Sequence, residues 1–88
     1  MRVFYTTQFK KDYKRIRKQN KDIELLIKAL DLLIEGEPLP ARYRDHKLAG
    51  EWSDHRDCHI EPDWILIYRI TEDSLILERT GSHSELFK

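Results

Sequence analysis

The stretch from residue 64 to residue 70, WILIYRI, is apolar on both faces of an extended backbone. A strand of this kind needs cover on both sides, so the pattern predicts a central strand of a sheet. Short polar turns, EPD and TED, separate it from β-type runs at residues 52 to 60 and 75 to 79. Turns of this length favour antiparallel hairpins. The second half of the chain therefore predicts three consecutive antiparallel strands.

The first half predicts a short strand followed by two helices. After a β-type run at residues 2 to 5, Phe9, Tyr13 and Ile16 recur at helical spacing. A second helix ends at Gly36 and has a wide apolar stripe made of Ile23, Leu26, Ile27, Leu30, Leu33 and Ile34. We predict a single α+β domain over residues 1–88, in the order βααβββ, with both helices packed on one face of a mainly antiparallel sheet of about four strands.

Cysteine content and hydropathy indicate where such a chain acts. The single cysteine, Cys58, cannot form an intramolecular disulfide, which favours a reducing compartment and a buried apolar role for this side chain. No apolar run approaches the roughly 20 residues of a membrane helix. The N-terminus has Thr-Thr-Gln where a signal peptide would be apolar. We therefore expect a cytoplasmic protein without membrane association.

Positive and negative charges cancel over the whole chain but are unevenly distributed. Residues 1–48 hold 12 Lys and Arg against 7 Asp and Glu, whereas residues 49–88 hold 4 against 9. Much of the excess lies on or just after the first helix, at Lys10, Lys11, Lys14, Arg15, Arg17, Lys18 and Lys21. A solvated helix face is the simplest explanation, and a surface for nucleic-acid phosphates is the functional alternative.

Titratable side chains gather near the ends of the predicted strands. His59 and Asp63 flank the turn before the central strand, Arg79 ends the last strand, and His83 follows four residues later. His46 lies in the long connection before these strands. Neighbouring strands lie about 4.8 Å apart, so side chains at their ends can converge on one substrate group.

This set of side chains suits cleavage of RNA by its own 2′-hydroxyl group. That reaction needs a base, an acid and a cation over the phosphate. Imidazole titrates near neutral pH and serves as acid or base, while the planar arginine fork binds two phosphate oxygens. The chemistry requires no metal and no other cofactor.

Arg79 and Asp63 also have simpler explanations, as do two aromatic side chains, Trp64 and Phe87, on which RNA bases could stack. Arg79 would form an ion pair with an acidic neighbour from its own half of the chain, and Asp63 follows a proline as turn residues often do. Trp64 and Phe87 would belong to the core. A less favoured alternative is a zinc site, because the chain lacks H-E-x-x-H and C-x-x-C spacing. Its ligands would be His46, His59, Asp63 and His83.

Three stretches, YRDHKLAGEW, RDCHIEPDWILIYRI and LERTGSHSELF, resemble the YafQ toxins of the RelE/ParE superfamily. The likeness covers essentially the whole chain, and the motifs DHxLxG, HxEPDW and RxGxH occur in that order. The resemblance implies a compact RNase-like fold. It also implies a ribosome-dependent endoribonuclease, an mRNA interferase that cuts messages in the ribosomal A site and inhibits translation.

The resemblance also implies a role for each matching position. His83 would be the general acid, and Asp63 or His59 would be the base. Arg79 would clamp the phosphate, and His46 would hold phosphate or assist proton transfer. Substrate contacts would come from Trp64 and Phe87, and the basic residues between Lys10 and Lys21 would dock on ribosomal RNA.

The partners implied by the resemblance are the 70S ribosome, mRNA and a cognate antitoxin of the ribbon-helix-helix type. Promoter DNA would be bound only through that antitoxin. Two alternatives are a ParE-like module that inhibits gyrase without cutting RNA, and a folded but inactive relative. Two histidines and an aspartate around one hairpin, His59, Asp63 and His83, favour the nuclease.

Overall fold

A computed structural model of the chain describes residues 1–87 and contains five strands and three α-helices in that range. In chain order they are β1 (Arg2–Tyr5), α1 (Thr7–Lys18), α2 (Ile23–Glu35), β2 (His46–Lys47), β3 (Arg56–Glu61), β4 (Trp64–Ile70), β5 (Ser74–Gly81) and α3 (His83–Leu86). Short 3-10 turns at Ala41–Tyr43 and Gly50–Trp52 flank β2.

The strands form one sheet in the order β1-β5-β4-β3-β2. β1 pairs with β5 in parallel, and all other pairs are antiparallel. The predicted α+β class is confirmed, with β4 at the centre. The predicted count of about four strands misses β2, in which His46 pairs with Asp57. The strand predicted from residue 52 begins only at Arg56, because Gly50–Trp52 forms a 3-10 turn instead.

Side-chain and backbone caps fix the ends of the helices. Thr6 Oγ1 accepts a hydrogen bond from the Phe9 amide at 3.0 Å, and the Asp22 side chain accepts one from the Glu24 amide at 3.1 Å. Gly36 ends α2 in the left-handed conformation, with φ of 75°. Both helices lie on the same side of the sheet. Among residues 1–87, no helix is both long and apolar enough to cross a bilayer.

The two faces of β4 bury different side chains. Trp64, Leu66 and Tyr68 pack toward α1 and α2, while Ile65 and Ile67 pack on the opposite face. That opposite face is covered in part by α3, whose Leu86 is buried. The sequence analysis did not predict α3, although Ser82 and Glu85 form a capping box at its start. The helix therefore holds the C-terminal segment against the sheet.

Candidate active site

Three histidines form a row on the sheet face opposite the two long helices. His59 pairs with Ile65 and lies on the same face, because directly opposed residues of antiparallel strands share a face. Its ring centroid is 6.3 Å from that of His46 and 5.5 Å from that of His83. The ring of Phe87 follows, 6.3 Å from the His83 ring. The structure thus brings together residues from β2, β3 and α3, and we call His46, His59 and His83 the histidine row.

Asp63 orients His83 at one end of the histidine row. One carboxylate oxygen of Asp63 accepts a hydrogen bond from the His83 amide at 3.0 Å and lies 2.8 Å from His83 Nδ1. These hydrogen bonds hold the pKa of Asp63 below its ordinary value, so the carboxylate is ionised at neutral pH. An ionised carboxylate only accepts hydrogen bonds, so Nδ1 carries a proton. Nε2 is therefore the ring atom available to a substrate.

A backbone carbonyl orients His46 at the other end. His46 Nδ1 lies 2.9 Å from the carbonyl oxygen of Arg44. A carbonyl oxygen only accepts hydrogen bonds, so Nδ1 carries a proton and Nε2 is left without a partner from this contact. A carboxylate oxygen of Asp57 lies 3.1 Å from the same Nδ1. The ring itself is half exposed, so Nε2 is open to a ligand from solvent.

Asp57 is a buried carboxylate next to the row that the sequence analysis missed. It lies on β3 one position before Cys58 and is 3% exposed. Burial raises the pKa of Asp57, and the nearby charges of His46, His59 and His83 offset part of that effect. A signal existed in the sequence, because Asp57 alternates with His59 on one face of the strand.

Arg79 is engaged elsewhere, in an ion pair with the fully buried Asp12. Arg79 Nε and Nη2 donate to the Asp12 carboxylate at 2.8 Å and 3.1 Å, and the Thr80 amide donates to it at 3.1 Å. Burial alone would raise the pKa of Asp12, but the hydrogen bonds from Arg79, Thr80 and Arg15 bring it below its ordinary value. Arg79 therefore forms an ion pair, but its partner lies in the first half of the chain and not in its own half. Its role as a phosphate clamp stays a prediction.

The two aromatic side chains predicted to contact substrate, Trp64 and Phe87, differ in exposure. Trp64 is fully buried, and its indole N–H donates to Thr80 Oγ1 at 2.9 Å. The prediction of Trp64 as a substrate contact is wrong, because its ring has no exposed surface on which a base could stack. Phe87 is 39% exposed beside His83, which is compatible with a substrate contact.

The basic surface of α1 is smaller than predicted. Arg15 turns inward, where it contacts an Asp12 carboxylate oxygen at 2.8 Å, the Thr80 carbonyl at 2.8 Å and a Glu85 carboxylate oxygen at 3.0 Å. Arg15 therefore leaves the predicted docking set. Lys21 is only partly exposed, with Nζ 5.8 Å from the Trp64 ring centroid. The remaining exposed members are Lys10, Lys11, Lys14, Arg17 and Lys18.

The fold and the site together define a class: a small α+β protein with a row of histidines and nearby carboxylates on one face of its sheet. In the part of the chain described, residues 1–87, no group of three or more His, Cys, Asp or Glu side chains is arranged to hold a metal ion. The zinc alternative thus gains no support from the geometry.

Comparisons with known proteins identify the family. A sequence model described as "Bacterial toxin of type II toxin-antitoxin system, YafQ" matches residues 1–88. The chain is 50% identical over 86 residues to the mRNA interferase toxin YafQ of Escherichia coli strain K12, covering 97% of this chain and 94% of that relative. Its fold is similar to the crystal structure of YafQ from E. coli strain BL21(DE3), with a TM-score of 0.95, 47% identity and 100% coverage of both chains.

A second solved structure shows a relative with its partner. The chain matches a chain of the E. coli DinJ-YafQ complex with a TM-score of 0.93 and 48% identity, covering 100% of each. The chain therefore belongs to the YafQ family of bacterial toxins of type II toxin-antitoxin systems. The resemblance inferred from the three sequence motifs is confirmed.

Proposed function

We propose that this chain is an endoribonuclease toxin that cleaves mRNA on the ribosome and so inhibits translation in the cytoplasm. The observation that carries the proposal is the His83–Asp63 pair beside His59, with ring centroids of the two histidines 5.5 Å apart. The name of the E. coli relative, mRNA interferase toxin, supports the substrate class.

The reaction proposed is attack by a 2′-hydroxyl on the neighbouring phosphorus. His59 takes the 2′-hydroxyl proton, the 2′-oxygen forms a bond to phosphorus, and the bond from phosphorus to the 5′-oxygen breaks. His83, protonated on Nε2, gives that proton to the departing 5′-oxygen. Asp63 stabilises the imidazolium and orients it, and its lowered pKa makes it a weak base. The products are a 2′,3′-cyclic phosphate and a 5′-hydroxyl.

Ribosome dependence is supported by the openness of the site. His46 and His83 are each more than half exposed, so the protein alone provides few walls to hold an RNA strand in the reactive geometry. A ribosome that presents the message in a fixed conformation would supply that positioning. The exposed lysines and arginine of α1 would contact ribosomal RNA through its phosphates.

The partner proposed is a cognate antitoxin, supported by the DinJ-YafQ complex of E. coli. We further propose that the antitoxin is of the ribbon-helix-helix type and that promoter DNA is bound only through it.

The test is primer extension on a defined message, either free or programmed into purified 70S ribosomes, with wild-type protein and His59→Gln. The proposal predicts a wild-type cut within the A-site codon on ribosomes, little cleavage of the free message, and loss of the cut in His59→Gln. Inhibition of gyrase supercoiling by wild-type protein that cuts no message would replace the proposal with the ParE-like alternative. Cleavage by folded His59→Gln at the wild-type rate would contradict the assigned base.

A further inference from the structure

A cleft of about 310 Å³ opens beside His59, between the 3-10 turn Ala41–Tyr43 and the end of β3. Charged side chains in its lining are Arg42, Arg44 and Glu61. His59 belongs both to this lining and to the histidine row, so the cleft adjoins the proposed active site at this residue. The acid-base chemistry described above uses neither arginine.

The chain has eight arginines, of which half form ion pairs within residues 1–87, and the two arginines of the cleft belong to the other half. Four others, Arg15, Arg56, Arg69 and Arg79, form ion pairs with carboxylates. Within residues 1–87, Arg42 and Arg44 form none, and both are exposed. Their positive charges are therefore available to an anion from solvent.

Arg42 is held in position by its aromatic neighbour. Its guanidinium carbon lies 5.0 Å from the centroid of the Tyr43 ring, and Nη2 donates to the Tyr43 hydroxyl at 3.3 Å. Tyr43 is itself buried. A guanidinium fixed on a buried ring loses little conformational freedom when it binds an anion.

Arg44 connects the cleft to the histidine row. Its φ of 47° lies in the left-handed region, which residues with a Cβ rarely adopt and which costs backbone strain. In this conformation its carbonyl oxygen lies 2.9 Å from His46 Nδ1, and the residue also belongs to the lining of the cleft. Arg44 thus contributes to both the histidine row and the cleft.

We propose that Arg42 and Arg44 bind an RNA backbone phosphate adjacent to the one cleaved at the histidine row. This inference rests on the proposed function and extends it to a second phosphate subsite. The planar arginine forks match phosphate oxygens, and Glu61 limits the attraction because its carboxylate lines the same cleft. The substrate strand thus runs from the histidine row past His59 into the cleft.

The experiment compares two uncleavable probes, a 2′-O-methyl dinucleotide with one phosphate and a 2′-O-methyl trinucleotide with two. Wild-type protein is expected to bind the trinucleotide more tightly by about tenfold, as measured by NMR titration. Arg42→Gln combined with Arg44→Gly should abolish that preference and reduce the slope of log K against log salt by about 0.7 for each lost contact. Glycine at position 44 relieves the left-handed strain, so this variant keeps its fold.

Two further variants sharpen the titration. Arg2→Gln is the matched control, because Arg2 is exposed on β1 at the far edge of the sheet, and it should bind both probes as wild type does. Glu61→Gln should tighten binding of the trinucleotide, because it removes the negative charge from the cleft.

Equal affinity of wild-type protein for both probes, or an unchanged preference in the double variant, would overturn the subsite. If the double variant binds the trinucleotide normally but loses affinity for vacant 70S ribosomes, the phosphate belongs to ribosomal RNA and the assignment to the substrate strand is wrong. The titration needs no cleavage. A wild-type preference for the trinucleotide without any cleavage on ribosomes would therefore contradict the proposed function alone.

Discussion

Two charged regions of this molecule each contain a hydrogen-bonded carboxylate with a lowered pKa but differ in their exposure to solvent. The first, the buried junction, consists of Asp12, Arg15 and Arg79 with Thr80 and Glu85. The second is the histidine row with Asp63. The Asp12 side chain is 0% exposed, whereas those of His46 and His83 are 55% and 53% exposed. Removing one partner of a buried, hydrogen-bonded ion pair destabilises the fold, whereas a side chain left open to solvent is available for chemistry.

The buried junction nevertheless helps to position the histidine row. Asp12 and Arg79 hold α1 against β5, and the Arg15–Glu85 ion pair extends this contact to α3, whose first residue is His83. Arg79 and His83 are four residues apart, yet one closes the junction and the other ends the row. Substitutions in the junction should therefore affect stability first, while substitutions in the row should affect activity alone.

The largest effect on stability is expected from Asp12→Ala. The substitution leaves the partly buried Arg79 without its carboxylate and the buried Thr80 amide without an acceptor, at a cost of about 3 kcal/mol. Thermal unfolding should shift down by roughly 15 °C. The control is Asp31→Ala on the exposed side of α2, with a change below about 0.5 kcal/mol. Equal melting temperatures for the two variants would show that the junction is dispensable.

Phe87→Ala should lower RNA affinity without lowering stability. Base stacking on an aromatic ring contributes about 1–3 kcal/mol, and Phe87 is 39% exposed beside His83. The measurement is a titration with the uncleavable trinucleotide, with thermal unfolding of the same samples alongside. Phe87→Tyr, which keeps an aromatic ring, should bind as wild type does. A loss of stability with unchanged affinity would place Phe87 in the core.

Trp64→Phe should lower stability without lowering RNA affinity, which is the opposite of the result expected for Phe87→Ala and smaller in magnitude. It removes the indole N–H that donates to Thr80 Oγ1 and leaves a small void, at a cost of about 1–2 kcal/mol in unfolding free energy. RNA affinity should stay at the wild-type value, because the Trp64 ring is fully buried. Weakened binding of the trinucleotide at full stability would restore Trp64 as a substrate contact.

The smallest effect expected is a pH dependence of the junction. The pKa of Asp12 is lowered in the folded protein, so its contribution is complete above its ordinary value of 3.8 and is lost as pH falls through the folded-state pKa. The stability difference between wild type and Asp12→Asn should therefore shrink from about pH 7 to about pH 3. Urea unfolding at both pH values measures this, and a constant difference would contradict the ion pair.

Sequence reasoning found the long helices and the central strand, missed the short elements β2 and α3, and could not find distant side-chain partners. The two long helices and the central strand follow from apolar spacing within a few residues. The buried Asp12 also left a local signal, since it lies between Phe9 and Ile16 on the apolar helical face. Its partner Arg79 lies 67 residues away, and no local pattern pairs them.

In the candidate site, too, contacts between residues distant in sequence could not be predicted from local patterns. Motif order placed His46, His59 and His83 in one site, but the burial of Trp64 depends on α1 and α2 covering that side of the sheet. The inward turn of Arg15 likewise depends on Glu85, 70 positions further along the chain. A row of basic residues on a helix therefore does not reveal which members face solvent.

The most direct test of this account is the single-turnover rate of mRNA cleavage on programmed ribosomes by His83→Ala, measured together with its thermal stability. His83 is exposed and lies outside the buried junction, so we predict a fall in rate of at least roughly a hundredfold with an unchanged melting temperature. Cleavage at the wild-type rate by a folded His83→Ala would contradict the central claim that His59 and His83 of the histidine row perform the chemistry.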